Sequence, residues 1–132
     1  MRTITSAILV LLCIMYYSCD NSFLVGSDDV DEIENVIFSI TSYTTYSSKL
    51  EGKGTVKNIG SNTIYPPWYV EGHFYSDSTL SFKLGGDRQQ KTVSLEPGTT
   101  INWTLELSSE DIDESQYPDF KISQLKAYLE KD

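Results

Sequence analysis

The chain has 132 residues, with 10 basic against 19 acidic side chains and a formal net charge of −9. That length accommodates a single domain. The sign of the charge excludes nucleic acid and anionic headgroups as partners sought by electrostatics.

Met1-Arg2-Thr3 is a short cationic start, and Ile4 to Tyr17 is an uncharged, mostly apolar run. Ser18 then places a small residue before Cys19. This order is that of a secretory signal, and the run falls short of the ~20 residues a membrane-crossing helix needs. The Ser18-Cys19 junction resembles the lipobox of bacterial lipoproteins, with Tyr16 and Tyr17 where that motif has Leu and a smaller residue. The resemblance implies cleavage before Cys19, a diacylglyceryl thioether on its sulfur and an acyl chain on its amine. Two or three chains hold a protein at a membrane permanently, where one holds it marginally. The expected address is the cell envelope, the outer membrane ahead of the inner, with a protein of the envelope as partner. Cys13 leaves with the signal and Cys19 carries lipid, so no disulfide is available and the fold rests on packing. The remaining chain carries 9 basic and 19 acidic residues, a net charge of −10, which favours solubility.

Residues 19–34 form the lipidated cysteine and an acidic tether, with Asp28, Asp29, Asp31, Glu32 and Glu34 clustered. A flexible coil of this length spans ~20 Å. From residue 35 to 132 a period of two dominates, the signature of strands. Val36, Phe38 and Ile40 begin the first strand, which runs on to Tyr46 and turns at Ser47-Ser48-Lys49. Leu50 to Ile59 is the second, ended by Gly60-Ser61-Asn62. Ile64 to Tyr75 is the third. Pro66-Pro67 cannot donate to a ladder, so regular pairing starts after them. Leu80–Leu84 and Thr92–Leu95 read as two short strands divided by Gly85-Gly86-Asp87. Ile101, Trp103, Leu105 and Leu107 alternate with polar residues, and Ser108 to Pro118 is an acidic loop with room for one helical turn. In the last strand, Phe120 to Leu129, the apolar phase slips between Ile122 and Leu125, which predicts a β-bulge near Ser123-Gln124.

Seven short strands with regular turns predict an all-β fold, a single immunoglobulin-like antiparallel sandwich. Phe38, Val56, Trp68, Val70, Phe74, Phe82, Trp103, Leu105 and Ile122 are its expected core. Gly54-Thr55-Val56-Lys57-Asn58-Ile59-Gly60-Ser61 resembles the G-x-V-x-N-x-G segment of FxLYD-type immunoglobulin-like domains. Val70 to Tyr75 followed by Asp77, Leu95-Glu96-Pro97-Gly98 and the strand through Trp103 resemble them too. The chain departs from that pattern by Ser76 before Asp77 and by lacking a Gly after it. The resemblance implies an envelope domain with no shared catalytic residues.

Nothing in the chain forms a catalytic constellation. There is no G-x-S-x-G, Ser123-Gln124-Leu125-Lys126 has no K-T-G strand to complete it, and the acids from Glu110 to Glu114 share one loop. His73 is the only histidine, short of the three or four ligands a zinc site needs, so no metal or cofactor is expected. If Trp68, Val70 and Phe74 face inward, Tyr65, Tyr69, His73 and Tyr75 form an outer face, with Tyr43 and Tyr46 on a neighbouring strand. Tyrosine is enriched at interfaces, and its ring also stacks on sugars. A non-enzymatic interaction module and a glycan- or small-ligand-binding lipoprotein are therefore the two functional expectations. Asp77-Ser78-Thr79 resembles a bacterial O-glycosylation acceptor at Ser78.

Overall fold

The computed structural model describes residues 30–113 and 115–131. The stretch read as a signal and Cys19 lie outside them. Residues 32–130 form one unit, and residues 1–31 with 131–132 another, described only at Val30, Asp31 and Lys131. Seven strands follow in order: β1 (Val30–Ile33), β2 (Val36–Tyr46), β3 (Lys49–Asn58), β4 (Trp68–Tyr75), β5 (Lys83–Lys91), β6 (Thr100–Ser108) and β7 (Lys121–Glu130). They build a four-stranded sheet, β1-β7-β4-β5, and a three-stranded sheet, β2-β3-β6. The connections after β1, β3, β5 and β6 change sheet, the interleaving of an immunoglobulin-like sandwich.

The core lies between the sheets. Leu50, Val56, Trp103 and Leu105 fill it from one side, and Trp68, Val70, Phe74, Ile122 and Ala127 from the other. Both indoles keep a hydrogen bond: Trp68 Nε1 donates to the Val93 carbonyl and Trp103 Nε1 to that of Thr55, each at 2.9 Å. A buried Trp or Tyr needs such a partner for its polar atom. Leu95 and Phe120 complete the core from outside the strands.

The G-x-V-x-N-x-G segment has a structural explanation. A methyl group at Gly54 would overlap the Ser39 carbonyl oxygen and the Trp103 indole. Val56 is in the core, and Asn58 is fully buried. Its Nδ2 donates to the carbonyls of Asn62 at 2.8 Å and Leu95 at 2.9 Å, and its Oδ1 accepts from Gly60 N at 2.9 Å. Its backbone joins the second turn, donating to Thr99 O and accepting from Gly98 N. Gly98 has φ +79, the left-handed region that glycine enters without strain. Asn58 therefore ties together two turns far apart in sequence.

Several expectations need correction. Val30–Ile33 is a strand, although it falls in the stretch read as tether. Leu80–Leu84 and Thr92–Leu95 are not strands. One strand, Lys83–Lys91, runs through Gly85-Gly86-Asp87, and Leu95 makes only an isolated bridge to Ile64. Phe82 sits before β5 rather than in the core and is 62% exposed. Phe38 is only partly buried at the margin of the core. The loop after β6 holds turns and no helical turn at its described residues. The bulge in β7 lies where the apolar phase slips: Glu71 pairs Lys126 while His73 pairs Ser123, and Gln124 has φ 56.

Candidate interaction site

The outer face of the four-stranded sheet brings Tyr69 and His73 of β4 beside Tyr128 and Lys126 of β7 and Arg88 of β5. The rings of Tyr69 and Tyr128 stack at 5.3 Å, and the Arg88 guanidinium lies 4.8 Å from the Tyr69 centroid. Arg88 also donates to Tyr128 Oη at 3.3 Å and pairs with Glu130. These two partners raise its pKa further, Tyr128 contributing most. Glu71 Oε2 is 3.2 Å from Lys126 Nζ and 3.9 Å from His73 Nε2. His73 Nδ1 is buried and has no hydrogen-bond partner among the described residues. Tyr75 is 8% exposed, whereas Tyr65, outside the ladder, is 69% exposed. On the sequence-predicted face, Tyr69 is thus occupied by Tyr128 and Arg88 and Tyr75 is buried, while Tyr65 stands outside the ladder with an exposed ring.

Tyr43 and Tyr46 do not join it. Both are on β2 in the other sheet. The Tyr43 ring meets Phe120 edge-on at 5.1 Å, and its hydroxyl accepts from Ile122 N at 3.3 Å. Tyr46 lies under the Lys49 ammonium. Ser78 is exposed in the β4–β5 loop. Beside it, Asp77 Oδ1 accepts from the Thr79 amide at 3.0 Å and from its hydroxyl. Those bonds hold the Asp77 carboxyl below its ordinary value.

The edges of the three-stranded sheet show a feature that residue pattern alone did not reveal. On the β6 side, β5 side chains take up the outward backbone groups of β6. Lys91 Nζ donates to Asn102 O at 2.6 Å, Thr104 N donates to Gln89 Oε1 at 2.9 Å, and Glu106 N donates to Asp87 Oδ2 at 2.7 Å. The three β5 residues alternate along their strand, as do their three partners. Burial lowers the Lys91 pKa. Among the described residues the β2 edge has no such cover, and β2 pairs only with β3. Its 11 residues, VIFSITSYTTY, include no charge and no proline, and Ile37, Ile40 and Tyr46 are exposed. Exposed, uncharged edges of this length are what folded proteins ordinarily avoid, because they template pairing with another strand. One bulge interrupts it, at Thr41, whose Oγ1 donates to Lys53 O.

A groove of about 300 Å3 lies at one end of the sandwich, lined by Phe82, Leu84, Leu107, Ile112, Tyr117 and the more polar Gln116 among others. Among the described residues no three His, Cys, Asp or Glu side chains are grouped to hold a metal ion. Glu110, Asp111 and Asp113 are exposed, and Asp113 Oδ1 accepts from Ser115 N at 3.1 Å.

No protein-family model and no curated protein matches the chain, so the FxLYD-type resemblance rests on its own residues. Among solved structures, the chain is similar to the trimeric lipoprotein SadB of Salmonella enterica. The similarity has a TM-score of 0.49 at 14% identity and covers 98% of this chain and 77% of that one. A similarity of that size supports no inference about function.

Proposed function

We propose that this is a lipid-anchored protein of the bacterial cell envelope whose sandwich is a non-enzymatic interaction and assembly module. The anchor is Cys19, on the strength of the signal-like start and Ser18-Cys19. The observation that carries the interaction role is the unguarded β2 edge beside a β6 edge whose outward groups are occupied. β-Strand addition at such an edge draws affinity from backbone hydrogen bonds and specificity from alternate side chains. Small-ligand binding is the second reading. Its support is the groove at Phe82, Leu84 and Ile112 together with the exposed ring of Tyr65, since the other tyrosines of the outer face are occupied.

Two measurements test the first reading. Cells fed a labelled fatty acid are expected to label the wild-type protein and leave Cys19→Ala unlabelled; an unlabelled wild type removes the anchor. A photo-crosslinking residue at Ile37 of β2 is expected to give a discrete protein adduct in cells, and one at Gln90 of β5 none. Absence of any adduct at Ile37 removes the interaction role, and a defined sugar bound in a glycan screen favours the second reading instead.

A further inference from the structure

We infer that the occupant of the β2 edge is the β2 strand of a second copy, paired antiparallel about a two-fold axis between Thr41 and Ser42. The inference rests on the interaction reading above and names its partner. Three observations carry it.

The first is the mismatch between the sheets. β5 lies against β6 and β7 against β2, so the four-stranded sheet is one strand longer on the β2 side. The apolar residues there, Ile33, Val36, Phe38 and Tyr43, pack on the core yet are only partly buried. These partly open apolar side chains leave surface at the β2 edge for a partner to cover.

The second is charge. The chain carries −9 overall, so two copies repel over most of their surfaces. β2 has no ionisable carboxylate or amine in 11 residues, which makes it the stretch where copies meet with least repulsion.

The third is register. Before the bulge, Val36, Phe38 and Ile40 pair with the buried Asn58, Val56 and Gly54. After it, Tyr43 and Thr45 pair with the buried Gly52 and Leu50. The extra residue therefore shifts the inward phase from even to odd numbers. In an antiparallel pair, opposite residues share a face, so β2 meets its own copy correctly only where an even position faces an odd one. With the axis between Thr41 and Ser42, Ile40 faces Tyr43 and Phe38 faces Thr45 on the inner side. Ile37 faces Tyr46 and Ser39 faces Thr44 on the outer side. Every apolar side chain exposed on this strand then finds an aromatic or β-branched partner, the pairing that stabilises sheets. The strand is complementary to itself, and a two-fold interface requires that property. Confinement of anchored copies to one surface would raise their effective concentration.

The test uses the full chain, extracted in mild detergent. Copies carrying Ser39→Cys and differently tagged copies carrying Thr44→Cys are mixed and oxidised, with wild type as the control for Cys13 and Cys19. A heterodimeric disulfide absent from the control is expected, and Ser39→Cys with Ser42→Cys is expected to give little. Preferential 39–42 coupling overturns the register, and coupling in neither pair overturns self-pairing. By sedimentation, wild type is expected to be dimeric and Ile37→Lys/Ile40→Lys to dissociate at least ~10-fold more readily, as lysines on an edge block pairing. Circular dichroism shows that the variant is folded; a folded variant with unchanged dissociation overturns the inference. An adduct at Ile37 with a different protein, without the 39–44 disulfide, sinks this inference and leaves the interaction module standing. No adduct of either kind sinks both.

Discussion

The two sides of the three-stranded sheet solve one problem differently. At β6, outward amide and carbonyl groups meet Lys91, Gln89 and Asp87 from the neighbouring sheet. At β2, a strand broken once by the bulge at Thr41 is left with threonines, serines and exposed isoleucines and no charge. Closure thus comes from side chains reaching across the sandwich, which needs a strand across the way to supply them. Where the larger sheet runs on past β2, the sequence does not add the lysines and prolines that commonly guard an edge.

The contrast can be removed altogether by unfolding the sheet that carries both edges. Trp103 is buried, packs over Gly54 and donates to Thr55 O. Trp103→Ala is expected to cost ~4 kcal/mol, measured by urea unfolding. Next in size is Asn58→Ala, which removes the side-chain hydrogen bonds to the Asn62 and Leu95 carbonyls and from the Gly60 amide, leaving Leu95 O only its bond from Ile64 N. Its expected cost is about 3 kcal/mol, with a midpoint shift and little change in the urea dependence. Asp87→Ala/Gln89→Ala opens the guarded side alone. It is expected to cost about 1 kcal/mol and to speed hydrogen exchange at the Thr104 and Glu106 amides, while β2 amides keep their rates.

The smallest effect is a pH dependence on the face between the edges. Burial pushes the Glu51 carboxyl up, but a hydrogen bond with Glu106 and the positive charges of Lys53 and Lys49 outweigh it and leave its pKa lowered from 4.5. A depressed folded-state pKa gives stability that is present above pH 4.5 and is lost as the pH falls through the folded value. Glu51→Gln is expected to flatten the stability profile in that acid range. An unchanged profile would show that the carboxylate is not linked to folding.

Strand number and fold class were legible because β2, β3, β4, β6 and β7 alternate with period two and end at turn residues. The slip between Ile122 and Leu125 marked the β7 bulge for the same reason. The agreement on seven strands conceals two compensating errors at the margins. β5, KLGGDRQQK, has no alternating apolar residues, because its side chains are spent on the β6 edge rather than on the core. β1 is four residues, two of them acidic, and reads as solvent-facing linker. Of the tyrosines read as an outer face, Tyr69 lies in the β4 ladder, Tyr75 is buried at its end and Tyr65 lies outside the strand. That Tyr69 is occupied by Tyr128 and Arg88 depends on the β4–β7 and β4–β5 registers, which local pattern does not fix. The unguarded β2 edge was visible as composition, and its position at an edge only as topology.

The placement of β7 bears on when the molecule can assemble. Residues 121–130 lie inside the larger sheet, between β1, the first strand in the chain, and β4, the fourth. As the chain emerges, hairpins β2–β3 and β4–β5 can form early, but the strand that joins the first element to the rest arrives last. Until it does, the nascent polypeptide stays unlatched and threadable, and a ribosome stalled before residue 121 would hold a half-built sandwich.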